Sequence, residues 1–91
     1  MEIEFDRGKR DITWQERGID FADAAIVFAG PVVTAEDRRE DYGELRYITF
    51  GILAGRLVAV IWTPRDGKRR IISMRKANER EQNKFAPLLG L

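Results

Sequence analysis

Between residues 45 and 74 the chain alternates three segments dense in Ile, Val, Tyr, Trp and Thr with two dipeptides, Ala54-Gly55 and Asp66-Gly67, that favour tight reversals. Strands joined by so short a link pair antiparallel. Residues 45–53, 56–63 and 68–74 are therefore predicted to form a three-stranded meander. The middle segment runs Leu57-Val58-Ala59-Val60-Ile61-Trp62 with no polar residue. A strand apolar on both sides needs cover on both, which places it at the centre of the sheet.

The remaining segments supply that cover. Ile3-Glu4-Phe5 alternates as a short first strand. Asp6 offers an N-cap for a helix over residues 7–17, and Gly18 follows as its C-terminal stop. Asp20 caps a second helix whose Phe21, Ala24, Ala25 and Phe28 form one apolar face, and Gly30-Pro31 ends it. Residues 31–35 fit a short strand. Residues 35–43 carry Glu36, Asp37, Arg38, Arg39, Glu40 and Asp41 and read as a solvated connection, too irregular in spacing for a good Mg²⁺ loop. Asn78 and Glu81 make a capping box for a closing helix ended by Pro87, and the apolar tail Pro87-Leu88-Leu89-Gly90-Leu91 either docks on the core or meets a partner. The order is β-α-α-β-β-β-β-α. It predicts one α+β domain over residues 1–91: an antiparallel sheet with two N-terminal helices on one face, a short C-terminal helix, and the other face open for binding.

Composition narrows the chemistry. The chain contains neither Cys nor His, which excludes disulfides, thiol nucleophiles, His- or Cys-ligated zinc and a Ser-His-Asp triad. No apolar run approaches the roughly 20 residues of a membrane span, and the acidic N-terminus is not a signal peptide, so a cytoplasmic protein is expected. Charge is divided: residues 1–45 hold six Lys/Arg against twelve Asp/Glu, a net −6, and residues 46–91 hold ten against three, a net +7. Such asymmetry points to a polyanion on the basic side, or to acidic helices covering a basic sheet.

The basic residues of the second half gather at strand ends: Arg46, Arg65, Lys68-Arg69-Arg70 and Arg75-Lys76. Strand period two sends Lys68, Arg70, Ile72 and Met74 to one face and Arg69, Ile71, Ser73 and Arg75 to the other, so not all these cations can point into one site. Guanidinium suits phosphate through its planar, permanently charged fork. When RNA is cut by its own 2′-hydroxyl, placed arginines stabilise the charge that builds on the phosphorane oxygens. Arginine cannot act as the base, which leaves a carboxylate such as Glu44 or Glu81, or a lysine such as Lys9 or Lys76. Lys68–Arg70 also fits a plain solvated run beside a turn, and Trp14 and Trp62 fit core or interface better than base-stacking platforms.

Three ordered motifs in the first half, Phe5-Asp6-x-x-Lys9, Gly18-Ile19-Asp20-Phe21-x-x-Ala24 and Val27-Phe28-x-x-Pro31, resemble BrnT-type toxins. So do Glu44-x-Arg46-x-x-x-x-Gly51, Thr63-x-Arg65 and Arg70-Ile71-Ile72-Ser73-Met74-Arg75-Lys76-Ala77-x-x-x-Glu81 in the second. The resemblance spans about residues 3 to 85. It implies a RelE-like fold and a ribonuclease that needs no metal or other cofactor and arrests translation. It also implies a BrnA-type antitoxin partner, through which the pair would contact DNA. Carried over by position, Arg65, Arg75 and Arg46 become the candidate catalytic residues, the first two preferred, and Lys9, Arg17, Arg70 and Lys76 the candidate RNA-binding ones.

Two stretches depart from the family pattern. Where members commonly end the first helix Lys-His-Gly, with Asn four positions before the His, this chain has Glu16-Arg17-Gly18 and Thr13. Arg17 replaces the charge of the histidine but not its proton chemistry. Phe85 stands where members often carry Tyr. A second reading follows: a catalytically impaired relative that serves as a binding partner in an antitoxin–DNA regulatory complex.

Overall fold

The computed structural model describes residues 1–91. Five strands form one sheet: β1 (Ile3–Phe5), β2 (Val32–Glu36), β3 (Tyr47–Leu53), β4 (Arg56–Arg65) and β5 (Lys68–Lys76), in spatial order β1-β5-β4-β3-β2. β2 to β5 make the antiparallel meander, and β4 lies at its centre with residues 57–63 all buried. Both hairpin turns place two residues at positive φ, Ala54 and Gly55 at 52° and 75°, Asp66 and Gly67 at 52° and 75°. Backbone of that hand matches the twist of the paired strands.

The sheet is not wholly antiparallel. β1 pairs with β5 in parallel, Glu4 opposite Arg70, which makes the sheet mixed. Three alternating residues fit either direction; the return of the chain through α1 (Arg7–Arg17) sets it. That helix is capped as expected by Asp6, which accepts from Lys9 N, and ends at Gly18 with φ 65°. It buries none of its residues fully, and Trp14 is 59% exposed on it, whereas Trp62 belongs to the core.

Asp20 caps a 3-10 turn, Phe21–Asp23, that leads into α2 (Ala24–Ala29). With three residues per turn at the start, the apolar stripe becomes Phe21, Ala24 and Val27 rather than one that includes Ala25, which is exposed. Those residues meet Val58, Val60, Trp62, Ile71 and Met74 on one face of the sheet, here called the α2 face. Trp62 Nε1 donates to Thr49 Oγ1 at 2.9 Å, so its polar edge is satisfied inside the core.

The opposite face is only half open. The closing helix α3 (Glu79–Phe85), begun by the Asn78/Glu81 capping box, lies across it. Phe85 stacks on Phe50 at 4.3 Å, and Leu89 of the following 3-10 turn, Pro87–Leu89, packs on the same Phe50, Leu57, Ala59 and Ile61 cluster. Leu88 and Leu91 of the tail remain exposed. The expectation of a wholly free second face is thus corrected, because Phe85 and Leu89 need cover as much as Phe21 does.

Candidate active site

One irregularity in β5 decides how Arg70 and Arg75 stand to each other. Its register against β4 runs Lys76↔Val58 through Ser73↔Ile61, then resumes at Ile71↔Trp62, leaving Ile72 as an inserted residue. Ile71 and Met74, three positions apart, both enter the α2-face core, while Ile72 packs against the α3-face cluster. A regular strand cannot put residues at odd spacing on one side; the bulge does so. It also resets the alternation, so Arg70 and Arg75 share the α3 face. The strict period-two separation of these two residues is thereby overturned. Arg69 faces the other way, its guanidinium 4.1 Å from the Phe28 ring centre and 5.2 Å from that of Trp62.

On the uncovered half of the α3 face the strands bring a set of cations together. Arg70 lies opposite Thr63 on β4. Arg46, one residue before the Tyr47↔Trp62 pair, flanks Thr63 from the other side. With neighbouring strands about 4.8 Å apart, the Arg46 and Arg70 backbones stand roughly 10 Å from each other across Thr63. Arg65 and Lys68, paired with each other, form the next row outward. The Arg46, Arg65 and Arg70 side chains are 25%, 48% and 31% exposed, within reach of solvent yet anchored in the sheet.

Carboxylates hold these arginines in place. Glu44 bridges two of them, accepting from Arg46 Nε at 2.9 Å and standing 3.7 Å from Arg65. Glu4 is 3.6 Å from Arg70, and Glu2 is 3.7 Å from Lys68. Part-exposed pairs of this kind contribute about 0–1 kcal/mol each, so a phosphate replaces such a partner at small cost. Tyr42 lies under the Arg46 guanidinium at 4.1 Å and directs its hydroxyl to Asp37 Oδ2 at 3.3 Å.

The connection between β2 and β3 is consequently more than a solvated loop. The Asp37 side chain is 1% exposed and accepts two hydrogen bonds from the Arg39 guanidinium, at 2.8 and 2.7 Å. Those bonds hold the Asp37 carboxyl below the usual carboxylate range and raise the guanidinium correspondingly. Asp37, Arg39 and Tyr42 were not legible as site residues in the sequence. The one signal was Tyr42 itself, an aromatic ring in an otherwise charged loop.

The other candidates stand apart. Arg75 is on the same face, but four residues of β4 separate its partner Ala59 from Thr63, roughly 13 Å along the strand. It donates twice to Glu81, at 2.6 and 2.9 Å, and so ties the start of α3 to the sheet. That hydrogen-bonded guanidinium lowers the Glu81 carboxyl, with Asn78 N–H and the Arg39 charge adding to it. Glu81, lowered and doubly engaged, is a poor proton acceptor. Lys9 is exposed in the first turn of α1. Arg17 donates to Met74 O at 2.8 Å, where β5 has run past the end of β1 and its edge is bare. Lys76 lies beyond Arg75 at the far end of β5.

No three His, Cys, Asp or Glu side chains are grouped to hold a metal ion, and no helix is long and apolar enough to cross a membrane. Comparison with known families finds one model that matches residues 5–81, described as the ribonuclease toxin, BrnT, of a type II toxin–antitoxin system. A search of the curated proteins finds no match to the chain.

Proposed function

Because the chain belongs to the BrnT family of ribonuclease toxins of type II toxin–antitoxin systems, we propose that it is a cytoplasmic RNA endonuclease in which Arg46, Arg65 and Arg70 hold the scissile phosphate without a metal ion. The observation that carries this reading is the register that sets Arg46, Arg65 and Arg70 around Thr63 on the uncovered half of the α3 face, with Arg46 and Arg65 sharing Glu44. Their forks match the non-bridging phosphate oxygens, and α3, tied down by Arg75, walls the site on one side.

In the proposed reaction the 2′-hydroxyl attacks the adjacent phosphorus. Its proton passes to the Glu44 carboxylate, which stands between Arg46 and Arg65. The bond from phosphorus to the 5′-oxygen breaks, and that oxygen takes a proton from solvent. A 2′,3′-cyclic phosphate and a 5′-hydroxyl result. Negative charge on the phosphorane oxygens is met by guanidiniums already in position, so little reorganisation is needed as the charge develops. Cleaving messenger RNA in this way would arrest translation.

A type II family implies an antitoxin partner. A BrnA-type protein that covers the arginines and supplies the DNA-binding part of the pair fits a toxin of this family. The second reading, an impaired relative retained for its regulatory complex, is favoured by one pair of facts. Arg17 is engaged with Met74 O and Phe85 with Phe50, so neither family position carries a free proton donor here.

Incubating RNA with the purified protein in excess EDTA separates the readings. The ribonuclease reading expects cyclic-phosphate ends from the wild type and a loss of roughly a hundredfold or more in Arg65→Ala or Arg70→Ala, the usual effect of removing one charge-stabilising donor. Equal inertness of wild type and variants, on free RNA and on translating ribosomes alike, would refute it in favour of the binding partner.

A further inference from the structure

At the far end of the sheet lies a second cationic site, built differently from the first. Arg17, Arg56 and Lys76 line a cavity of about 310 Å³ between the end of α1 and the β3–β4 hairpin, with Gly18, Leu53 and Val58 among its walls. Arg56 and Lys76, with Leu57 and Gln82, line an adjoining cavity of about 310 Å³ towards α3. Neither cavity has a carboxylate in its walls. Arg46, Arg65, Arg70 and Arg75 each have an acidic partner within 4 Å, whereas Arg17, Arg56 and Lys76 have none. Three unpaired cations around two adjoining concavities produce a local positive potential that only an added anion can neutralise.

The position of this site relates it to the first. Lys76 lies opposite Val58, and Arg70 opposite Thr63, five residues or roughly 17 Å apart along β4; that odd spacing turns Lys76 to the α2 face and Arg70 to the α3 face. Between them Arg17 reaches the bare edge of β5 and Arg75 faces the same side as Arg70. A strand bound with one phosphate among Arg46, Arg65 and Arg70 would have to cross the bare edge of β5 beside Arg17 to bring a phosphate a few nucleotides away to Arg56 and Lys76 on the α2 side.

We propose that the Arg17–Arg56–Lys76 cavity binds a backbone phosphate of the RNA distant from the cleaved one and so sets how long a strand the enzyme grips. The inference rests on the ribonuclease reading above. Arg17 keeps one N–H arm on Met74 O and offers the rest of its fork; Arg56 and Lys76 are exposed and make no side-chain hydrogen bond within the protein. Contact here reads the sugar–phosphate chain and not the bases.

The test measures affinity for an oligoribonucleotide methylated at every 2′-oxygen, which cannot be cut, as a function of salt. Arg56→Glu should weaken binding about tenfold or more, because it removes a charge-assisted contact and adds repulsion. Arg56→Ala should lower the slope of log affinity against log salt by about 0.7, the value for one phosphate contact to a single strand. Arg56→Lys should retain most of the affinity, and Arg7→Glu, an equal charge change on the exposed start of α1, should cost far less. Thermal unfolding of each variant checks that the exposed substitutions leave the fold intact. Wild-type affinity and slope in the Arg56 variants would overturn this site alone. Equal losses in Arg7→Glu and Arg56→Glu would also overturn it, by showing diffuse attraction in place of a site. A wild type that failed to bind the oligomer would overturn the ribonuclease reading together with this one.

Discussion

Replacing Arg75 by Ala should act chiefly on stability, and the structure sets the scale. The Arg75 and Glu81 side chains are 27% and 16% exposed and share two short hydrogen bonds. Without the guanidinium, Glu81 retains the Asn78 N–H as its hydrogen-bond partner in a place where water only partly reaches. A charged group left short of partners costs about 1–3 kcal/mol, and the remaining solvent access puts this one near the low end, about 1–1.5 kcal/mol. For a domain of this size that corresponds to a fall in Tm of about 4–12 °C. Glu81→Gln should cost a similar amount, and the double variant should cost less than the sum, since the second change removes a partner already lost. Circular dichroism melts of the four proteins, run beside cleavage assays, provide the measurement. The expected pattern is lowered Tm with cleavage reduced less than in Arg65→Ala. An Arg75→Ala protein with unchanged Tm and cleavage a hundredfold down would refute the reasoning and place Arg75 at the phosphate.

Two further expectations concern the scaffold. A Cβ at Gly51 would lie 2.5 Å from Val27 Cγ1 and 3.1 Å from Val32 Cγ1, and Val27 is fully buried, so Gly51→Ala must push α2 away from β3 at about 1–3 kcal/mol. Chemical denaturation should show that loss, with partial recovery when Val27→Ala is added; a fully stable Gly51→Ala would contradict the close approach. The Arg10 guanidinium holds the Asp20 carboxyl at about 2, below its ordinary 3.8, with Ala22 N–H assisting. A carboxyl whose folded pKa is depressed contributes stability above its ordinary pKa and loses it as pH falls through the folded value. The stability difference between wild type and Asp20→Asn should thus be constant above about pH 5 and shrink between about pH 4 and 2. A difference independent of pH in urea titrations across that range would show that the carboxylate charge is not what matters.

The local grammar of the chain was legible without coordinates. Ala54-Gly55 and Asp66-Gly67 admit the two positive-φ residues each turn needs, and Asp6, Asp20 and Asn78 cap where a short acceptor side chain precedes a helical stretch. The unbroken apolar run of β4 dictated its central place, since no other position covers both faces. The candidate site was legible only in part: Arg46, Arg65 and Arg70 were visible as residues, but not as neighbours. Their common face follows from the hairpin register that pairs Arg65 with Lys68 and Thr63 with Arg70, whereas Arg75 joins that face only through the inserted Ile72, and that insertion answers two distant demands at once. Ile71 and Met74 are drawn to the core under α2, and Ile72 to the cluster under α3. The parallel direction of β1 and the covering of half the second face by Phe85 are likewise settled by partners far away in the chain. Caps and turns are satisfied within a few residues, so sequence alone determines them; which way a strand residue points is decided by packing across the sheet, which only the tertiary structure supplies.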